Sequence, residues 1–558
     1  MMRHAARSLV AACVLLIALL GAKTASADDP TDLYAPPGAV QLLPQPPAAG
    51  DVLSLKVTAR NGSPRPVFNV QARVFLRRNG QDTRLADLKL GTIGARGSAS
   101  GTAEWAWDTQ GLSGQQTLIV QIDPDDRIQA GDENATNNVA QVTVALAPPP
   151  ADEQDVRWQS VDTRCCTLHY MSGTAAARDI DALRVEADDA ADYVAQQLGV
   201  SLARRLDIYL VPRTIGHGGY ASGYLVVSTH DRHYPAGRLR EVLRHEITHA
   251  VQDTWAPGGS ITMMAEGLAV WVTGGHFKPE PVRERAAALL RLNRYTPFAR
   301  LVNDFYQKQH ELGYLEAAGF VQYIHDTYGL DSLRQVFGAL RRQRTANDLT
   351  ALNAALTQVL GKGVDALEAE YRAWLEATPR DAIQERDLAL TADFFDTVRR
   401  YQQALDPTAY FLTPWLPNIQ EAQRRGVAAD YMRHPEGDVN LAMETLLLSA
   451  AEAQYVGDYD GMAERLRVVK DILAQRASLP DTPWPDLFGH PLASAHLQIA
   501  RLLTARGYEA QRIEVEGDSA TIWATRGRED MLYRLSAHRA DEGWRLWEWV
   551  HRGVPDAV

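Results

Sequence analysis

Between residues 51 and 147, apolar and polar side chains alternate in short runs: DVLSLKVTARNG, VFNVQARVFLRRNG, QTLIVQIDP and NNVAQVTVAL. Gly, Asn and Asp turns separate them. A period of two turns one row of side chains to a core and the other to water, so the stretch predicts a small β-sandwich. The pattern changes after the stiff Ala147-Pro148-Pro149-Pro150 linker. TLHYMSG, RLDIYLVPR and GYLVVST predict strands, and ARDIDALRVEADDAADYVAQQLG carries the period of an amphipathic helix. From Ala236 to about Ala377 nearly the whole pattern is helical, and helical periodicity continues over residues 385–505. The last fifty residues return to alternation, with turns at Gly517-Asp518 and Glu542-Gly543. The expected fold class is multidomain. A β-sandwich at 51–147 precedes an α+β domain at 155–380, and a helical region with a small β-meander follows at 385–558.

Length and charge narrow the picture. A chain of 558 residues exceeds what one core spans. The N-terminus joins a basic start, the apolar run LVAACVLLIALLGA and the small-residue site Ala25-Ser26-Ala27, which read as a secretory signal over residues 1–27. Residues 28–50 are rich in proline and read as an extended leader. The exported product is expected to be secreted or periplasmic, with no stable membrane span after signal removal, because no later segment approaches ~20 apolar residues. The net charge of −12 is dispersed, which argues against nucleic acid as a partner. Cys165 and Cys166 adjoin one another. Strand alternation would send their thiols to opposite faces, so they read as two structural cysteines rather than a vicinal disulfide.

The candidate chemistry lies in LRHEITHAVQD, residues 243–253. No helix breaker interrupts the surrounding pattern, so His245 and His249 stand one turn apart on one helix face, where both imidazoles can reach one zinc ion. Glu246 is rotated by about 100° from His245, beside the ion, where it can take a proton from water. Catalytic zinc needs a third protein ligand. MMAEGLAVWVTGG offers Glu266, a lone acid in an apolar helical run that is costly to bury without a partner. A short loop with Pro257-Gly258-Gly259 lets the two helices lie side by side.

HEITHAVQD followed by AEGLAVW resembles the gluzincin branch of the zinc metallopeptidases, whose catalytic domain is a thermolysin-like zincin fold. The wider context, roughly residues 160–380, is similar to secreted bacterial peptidase MA-like proteins, with a GGY-containing edge strand before HExxH and an EGLA helix after it. The resemblance implies Zn²⁺ held by His245, His249 and Glu266, with Glu246 as general base. GYLEAAGFVQYIHDTYG resembles the helix that bears the carbonyl-facing tyrosine in gluzincin aminopeptidases, which implies Tyr314 as an oxyanion donor. Glu316 and Ala317 depart from that family's Lys and Gly, and Val270 stands where thermolysin-like enzymes carry an Asp. GGYASGYLVVS lacks the acid that holds a free α-amine in aminopeptidases, so the expectation is an endopeptidase acting on a peptide or protein aligned along an edge strand at Ser222–Ser228. His217, His230 and His233 read as surface or loop histidines, of which His230 or His233 could assist near the oxyanion. IDPDDRIQAGDENATNNVAQVTVAL resembles the closing hairpin of a CARDB-type immunoglobulin-like module. Its acidic loop (Asp123, Asp125, Asp126, Asp132, Glu133) reads as a solvated turn rather than a calcium site. Two other readings stay open: an inactive peptidase scaffold used for binding or adhesion, and a zinc hydrolase of a non-peptide amide or ester.

Overall fold

The computed structural model describes residues 31–43, 45–97, 100–128, 134–202, 204–214, 218–235, 237–256, 260–303, 305, 310–342, 347–406, 419–426, 434–527 and 529–552. The signal segment 1–27 lies outside them. The chain forms two compact units, residues 1–150 with 413–420, and residues 151–412 with 421–558.

The first unit is the expected sandwich. Its strands are β1 (Leu33–Tyr34), β2 (Val40–Leu43), β3 (Val52–Asn61), β4 (Val67–Arg78), β5 (Gln81–Ile93), β6 (Gly101–Asp108), β7 (Gly114–Ile122) and β8 (Val139–Leu146). One sheet runs β1-β3-β2 with β6 also on β3, and the other runs β5-β4-β7-β8. The alternation read in the sequence builds the core: Leu53, Leu55 and Val57 of β3 pack with Ala72 and Val74 of β4 and Leu118 and Val120 of β7. The segment expected to be a leader supplies two strands, because Leu33 and Leu42 are buried in this core despite the prolines around them. In the acidic loop, Asp123 accepts the backbone N–H groups of Arg127 and Ile128 at 3.1 and 3.2 Å. Asp125 pairs with Arg73 at 2.8 Å and Arg127 at 2.9 Å. Asp132 and Glu133 lie outside the described residues.

The second unit opens with a five-stranded sheet in the order β12-β13-β11-β10-β9. The strands are β9 (Trp158–Asp162), β10 (Cys166–Met171), β11 (Leu206–Val211), β12 (Gly219–Ala221) and β13 (Leu225–Ser228). β10, β11 and β13 run parallel, and the helix α1 (Ile180–Leu198) connects the first two. β13 is bonded on both sides, to β11 and β12. The expected edge strand at Ser222–Ser228 is therefore an interior strand, and the edge is β12, three residues long and too short for a period to show. The cysteine reading is also corrected. Cys165 and Cys166 form a disulfide. The strand begins only at Cys166, so strand alternation does not govern Cys165, whose backbone N–H donates instead to Asp188 on α1 at 2.9 Å.

Helices follow: α2 (Leu239–Trp255), α3 (Thr262–Thr273), α4 (Val282–Arg291), α5 (His310–Tyr328), α6 (Ala382–Leu405), α7 (Asp438–Tyr455), α8 (Tyr459–Ser478) and α9 (Pro491–Thr504) are those that matter here. The closing meander is β14 (Tyr508–Glu516), β15 (Ser519–Arg526), β16 (Glu529–Ala540) and β17 (Gly543–Arg552), paired in sequence order. Ile499 and Leu503 of α9 pack on its Ile513, Ile522 and Leu535. The expected break near 380–385 falls inside this unit. Asp387 on α6 ties it shut, with Lys278 at 2.5 Å and the buried Arg285 of α4 on its two oxygens. Among the described residues no helix is long and apolar enough to cross a membrane.

Candidate metal centre

α2 contains no Gly or Pro, and its Leu243, Ile247 and Val251 recur at i, i+4 and i+8. Those three are buried in the core with Leu210 and Val227 of the sheet, each contributing about 1.5–3 kcal/mol. Burying that row turns His245 and His249 to another face, one turn apart. α3 is apolar on nearly every side, through Met263, Met264, Leu268, Ala269, Val270 and Val272, with Glu266 as its acid. It stops where Gly274 adopts a left-handed conformation (φ 79°) that L side chains rarely take.

The three expected ligands meet. His245 Nε2 lies 3.1 Å from Glu266 Oε2, His249 Nε2 lies 3.3 Å from the same oxygen, and the two Nε2 atoms are 3.2 Å apart. An ion bound at the usual ~2.0–2.1 Å in a tetrahedron holds its ligand atoms about 3.3–3.4 Å apart. The donor set and its spacing therefore fit zinc. Burial pulls His245 down to about 4. Burial also opposes charge on His249, but the hydrogen bond and charge of Glu266 outweigh it and raise His249 to about 9. Burial opposes ionisation of Glu266 as well, yet its two histidine hydrogen bonds hold it well below the usual carboxylate range.

Glu246 is 6% exposed. Burial raises its carboxyl to about 7, partly countered by His249 and His276 and supported by Glu266. That suits a group that must both take and release a proton near neutrality. The edge strand β12 comes close to it because Gly219 has no side chain: a Cβ there would sit 2.8 Å from the Val226 carbonyl oxygen and 3.2 Å from Glu246 Cγ.

Tyr314, on α5, also arrives at the site. It is buried, with its ring 6.1 Å from that of His245. Between α3 and α5 the backbones touch: a Cβ on Gly267, next to Glu266, would lie 2.6 Å from the Ala317 carbonyl oxygen. Glu316, the departure from the family's Lys, is buried and accepts the backbone N–H of Thr296 at 2.9 Å. Val270 packs in the core, and His245 Nδ1 is buried without a hydrogen-bond partner among the described residues. Ring contacts hold that imidazole instead, with His249 at 4.9 Å and His276 at 5.5 Å.

His276 escaped the sequence reading. It stacks on Tyr314 with centroids 4.1 Å apart and planes 12° from parallel. Its Nδ1 lies 2.7 Å from Glu311 Oε2. Two signals pointed to it: the glycine pair that ends α3 just before it, and Glu311 one turn before Tyr314 on α5. The other histidines go elsewhere. His230 packs against His434, at 4.4 Å, and His230 and His233 take no part in the ligand cluster. His217 and the Pro257-Gly258-Gly259 loop lie outside the described residues.

No family model and no curated protein matches the chain. Among solved structures it is similar to an M1 zinc metallopeptidase from Deinococcus radiodurans, at 16% identity over 63% of this chain and 94% of that one, with a TM-score of 0.26. The N-terminal region is similar to a CARDB domain from Pyrococcus furiosus solved with di-metal ions, at 16% identity over 22% of this chain and 98% of that one, TM-score 0.18. It is also similar to a domain of a Methanosarcina acetivorans cell surface protein, at 19% identity over 21% and 92%, TM-score 0.17.

Proposed function

We propose that this protein is an exported zinc peptidase, an endopeptidase rather than an aminopeptidase. The observation that carries the reading is the convergence of His245 Nε2, His249 Nε2 and Glu266 Oε2 at 3.1–3.3 Å, beside the buried carboxyl of Glu246. Zinc held by these three residues supplies Lewis acidity towards a carbonyl and acidifies water. Glu246 takes the proton of the attacking water and delivers it to the leaving amine. Tyr314 donates a hydrogen bond to the developing oxyanion, with His276 fixing the phenol from its stacked face. An extended peptide lies along β12, pairing with its outer backbone groups. No acid in GGYASGYLVVS is available to hold a free α-amine there, which favours internal cleavage.

The test is hydrolysis of unfolded casein by the purified, zinc-supplemented protein, with product termini read by mass spectrometry. Internal cuts lost in Glu246→Gln, at unchanged zinc content, are the expected result. Single residues released from the N-terminus would refute the endopeptidase assignment, and full activity in Glu246→Gln would refute the mechanism.

A further inference from the structure

The turn after α3 fixes the starting point of one side chain, His276. Gly274 and Gly275 both take positive φ, 79° and 147°. A Cβ on Gly275 would collide with the Lys278 carbonyl oxygen, so the chain folds back more tightly there than another residue permits. Three elements hold the turn. The Gly275 N–H donates to the Val270 carbonyl of α3 at 3.0 Å, and the Glu280 N–H donates to the Gly274 carbonyl at 2.8 Å. The Glu280 carboxylate accepts the His276 N–H at 3.4 Å and pairs with Arg285 of α4 at 2.6 Å. Lys278 is tied to Asp387 of α6 at 2.5 Å.

From that turn the imidazole meets α5 twice. Its Nδ1 lies 2.7 Å from Glu311 Oε2, and its face stacks on Tyr314. Glu311 and Tyr314 stand three residues apart, so one turn of α5 presents a carboxylate and a phenol to the same ring. A carboxylate accepts, so Nδ1 carries the proton of this bond, and the ring cannot rotate without breaking it. The plane laid against the phenol is therefore set by Glu311. Phe305 meets the phenol edge to face, with centroids 5.1 Å apart. Glu311 is buried, and fold stability gives no reason for a carboxylate there. Apolar side chains of similar volume in place of a buried polar pair often hold a fold as well or better.

Resting on the peptidase reading, we propose that Glu311 is a positioning residue of that site, acting on Tyr314 through His276. A phenol stabilises an oxyanion only when its O–H is aimed at the place where charge develops. A lone tyrosine on a helix keeps freedom about its side-chain bonds, and a supporting group must remove it. Glu311 orients the imidazole, the imidazole holds the phenol, and the glycine turn fixes the imidazole from behind. Glu311 itself need touch neither metal nor substrate.

The test is steady-state hydrolysis of a quenched peptide by the zinc-loaded, full-length protein. Glu311→Ala is expected to lower kcat about tenfold, a part of what the phenol contributes, with KM and zinc content unchanged. Glu311→Gln keeps an acceptor for His276 Nδ1–H and should recover most of that loss. In the background of Tyr314→Phe, Glu311→Ala should change kcat by less than about twofold, because nothing remains to be aimed. Any of three results overturns the proposal: an unchanged kcat in Glu311→Ala, loss of zinc from it, or a tenfold loss that persists in the Tyr314→Phe background. His276→Ala takes the place of Glu311→Ala should that variant fail to fold. Wild-type protein that cuts no peptide refutes the peptidase reading instead. Crystal structures of the zinc-loaded wild type and Glu311→Ala then decide the positioning: a Tyr314 ring displaced in the variant supports it, and an unmoved ring overturns it.

Discussion

Two histidines and a glutamate meet at His245, His249 and Glu266, and again at His230, His434 and Glu509. In the first group the Nε2 atoms and the carboxylate face one another directly at 3.1–3.3 Å. In the second, Arg232 stands at the centre, takes the Nδ1 lone pair of both rings and binds the glutamate at 2.9 Å. Composition is the same and the chemistry is opposite. A ligand set is defined by where neighbouring donors leave the protons, as much as by residue type.

The comparison breaks first at the glutamates. Glu266→Ala is expected to release zinc, lowering affinity by more than about 100-fold and ending turnover, whereas Glu509→Ala should leave zinc content at the wild-type value. Elemental analysis of dialysed protein reads both, and full zinc in Glu266→Ala would disprove the ligand assignment. Next, Glu246→Gln should keep the metal but lower kcat by about 10²–10⁴, measured on a quenched peptide. Tyr314→Phe removes one oxyanion donor and should cost about 10² in kcat with little change in KM; an unaltered rate would leave Tyr314 a packing residue. Gly267→Ala forces a methyl group against the Ala317 carbonyl and should destabilise the fold by about 1–3 kcal/mol, visible in chemical denaturation.

An effect of similar size, visible only as pH changes, concerns protons on the second group. Burial, with Arg232 adding to it and Glu509 opposing, lowers His434 to about 4 from an ordinary 6.5. Between those values the unfolded chain binds a proton that the folded one refuses. Stability is therefore intact above pH 6.5 and falls as pH drops towards 4, at up to about 1.4 kcal/mol per pH unit. His434→Gln, which keeps an acceptor for Arg232, should flatten that slope in urea titrations at pH 4.5 and 7.

Legibility followed chain distance. His245, Glu246 and His249 lie within one helix turn, so an uninterrupted helical pattern sufficed to place them. Glu266 stood out because its helix is otherwise apolar. His276 did not, because its approach depends on the turn after Gly274 and on α5 packing beside α3. The edge strand was misplaced because β12 has three residues, and the leader because its prolines hid the buried Leu33 and Leu42. His230, His434 and Glu509 come from three separate segments, and nothing in their local sequence announces that Arg232 joins them.

Gly267 has a further consequence. Where α3 and α5 meet backbone to backbone there is no side chain to compress or rotate, so the two helices cannot slide independently. The ligand carboxylate on one and the phenol on the other travel together as a single rigid body.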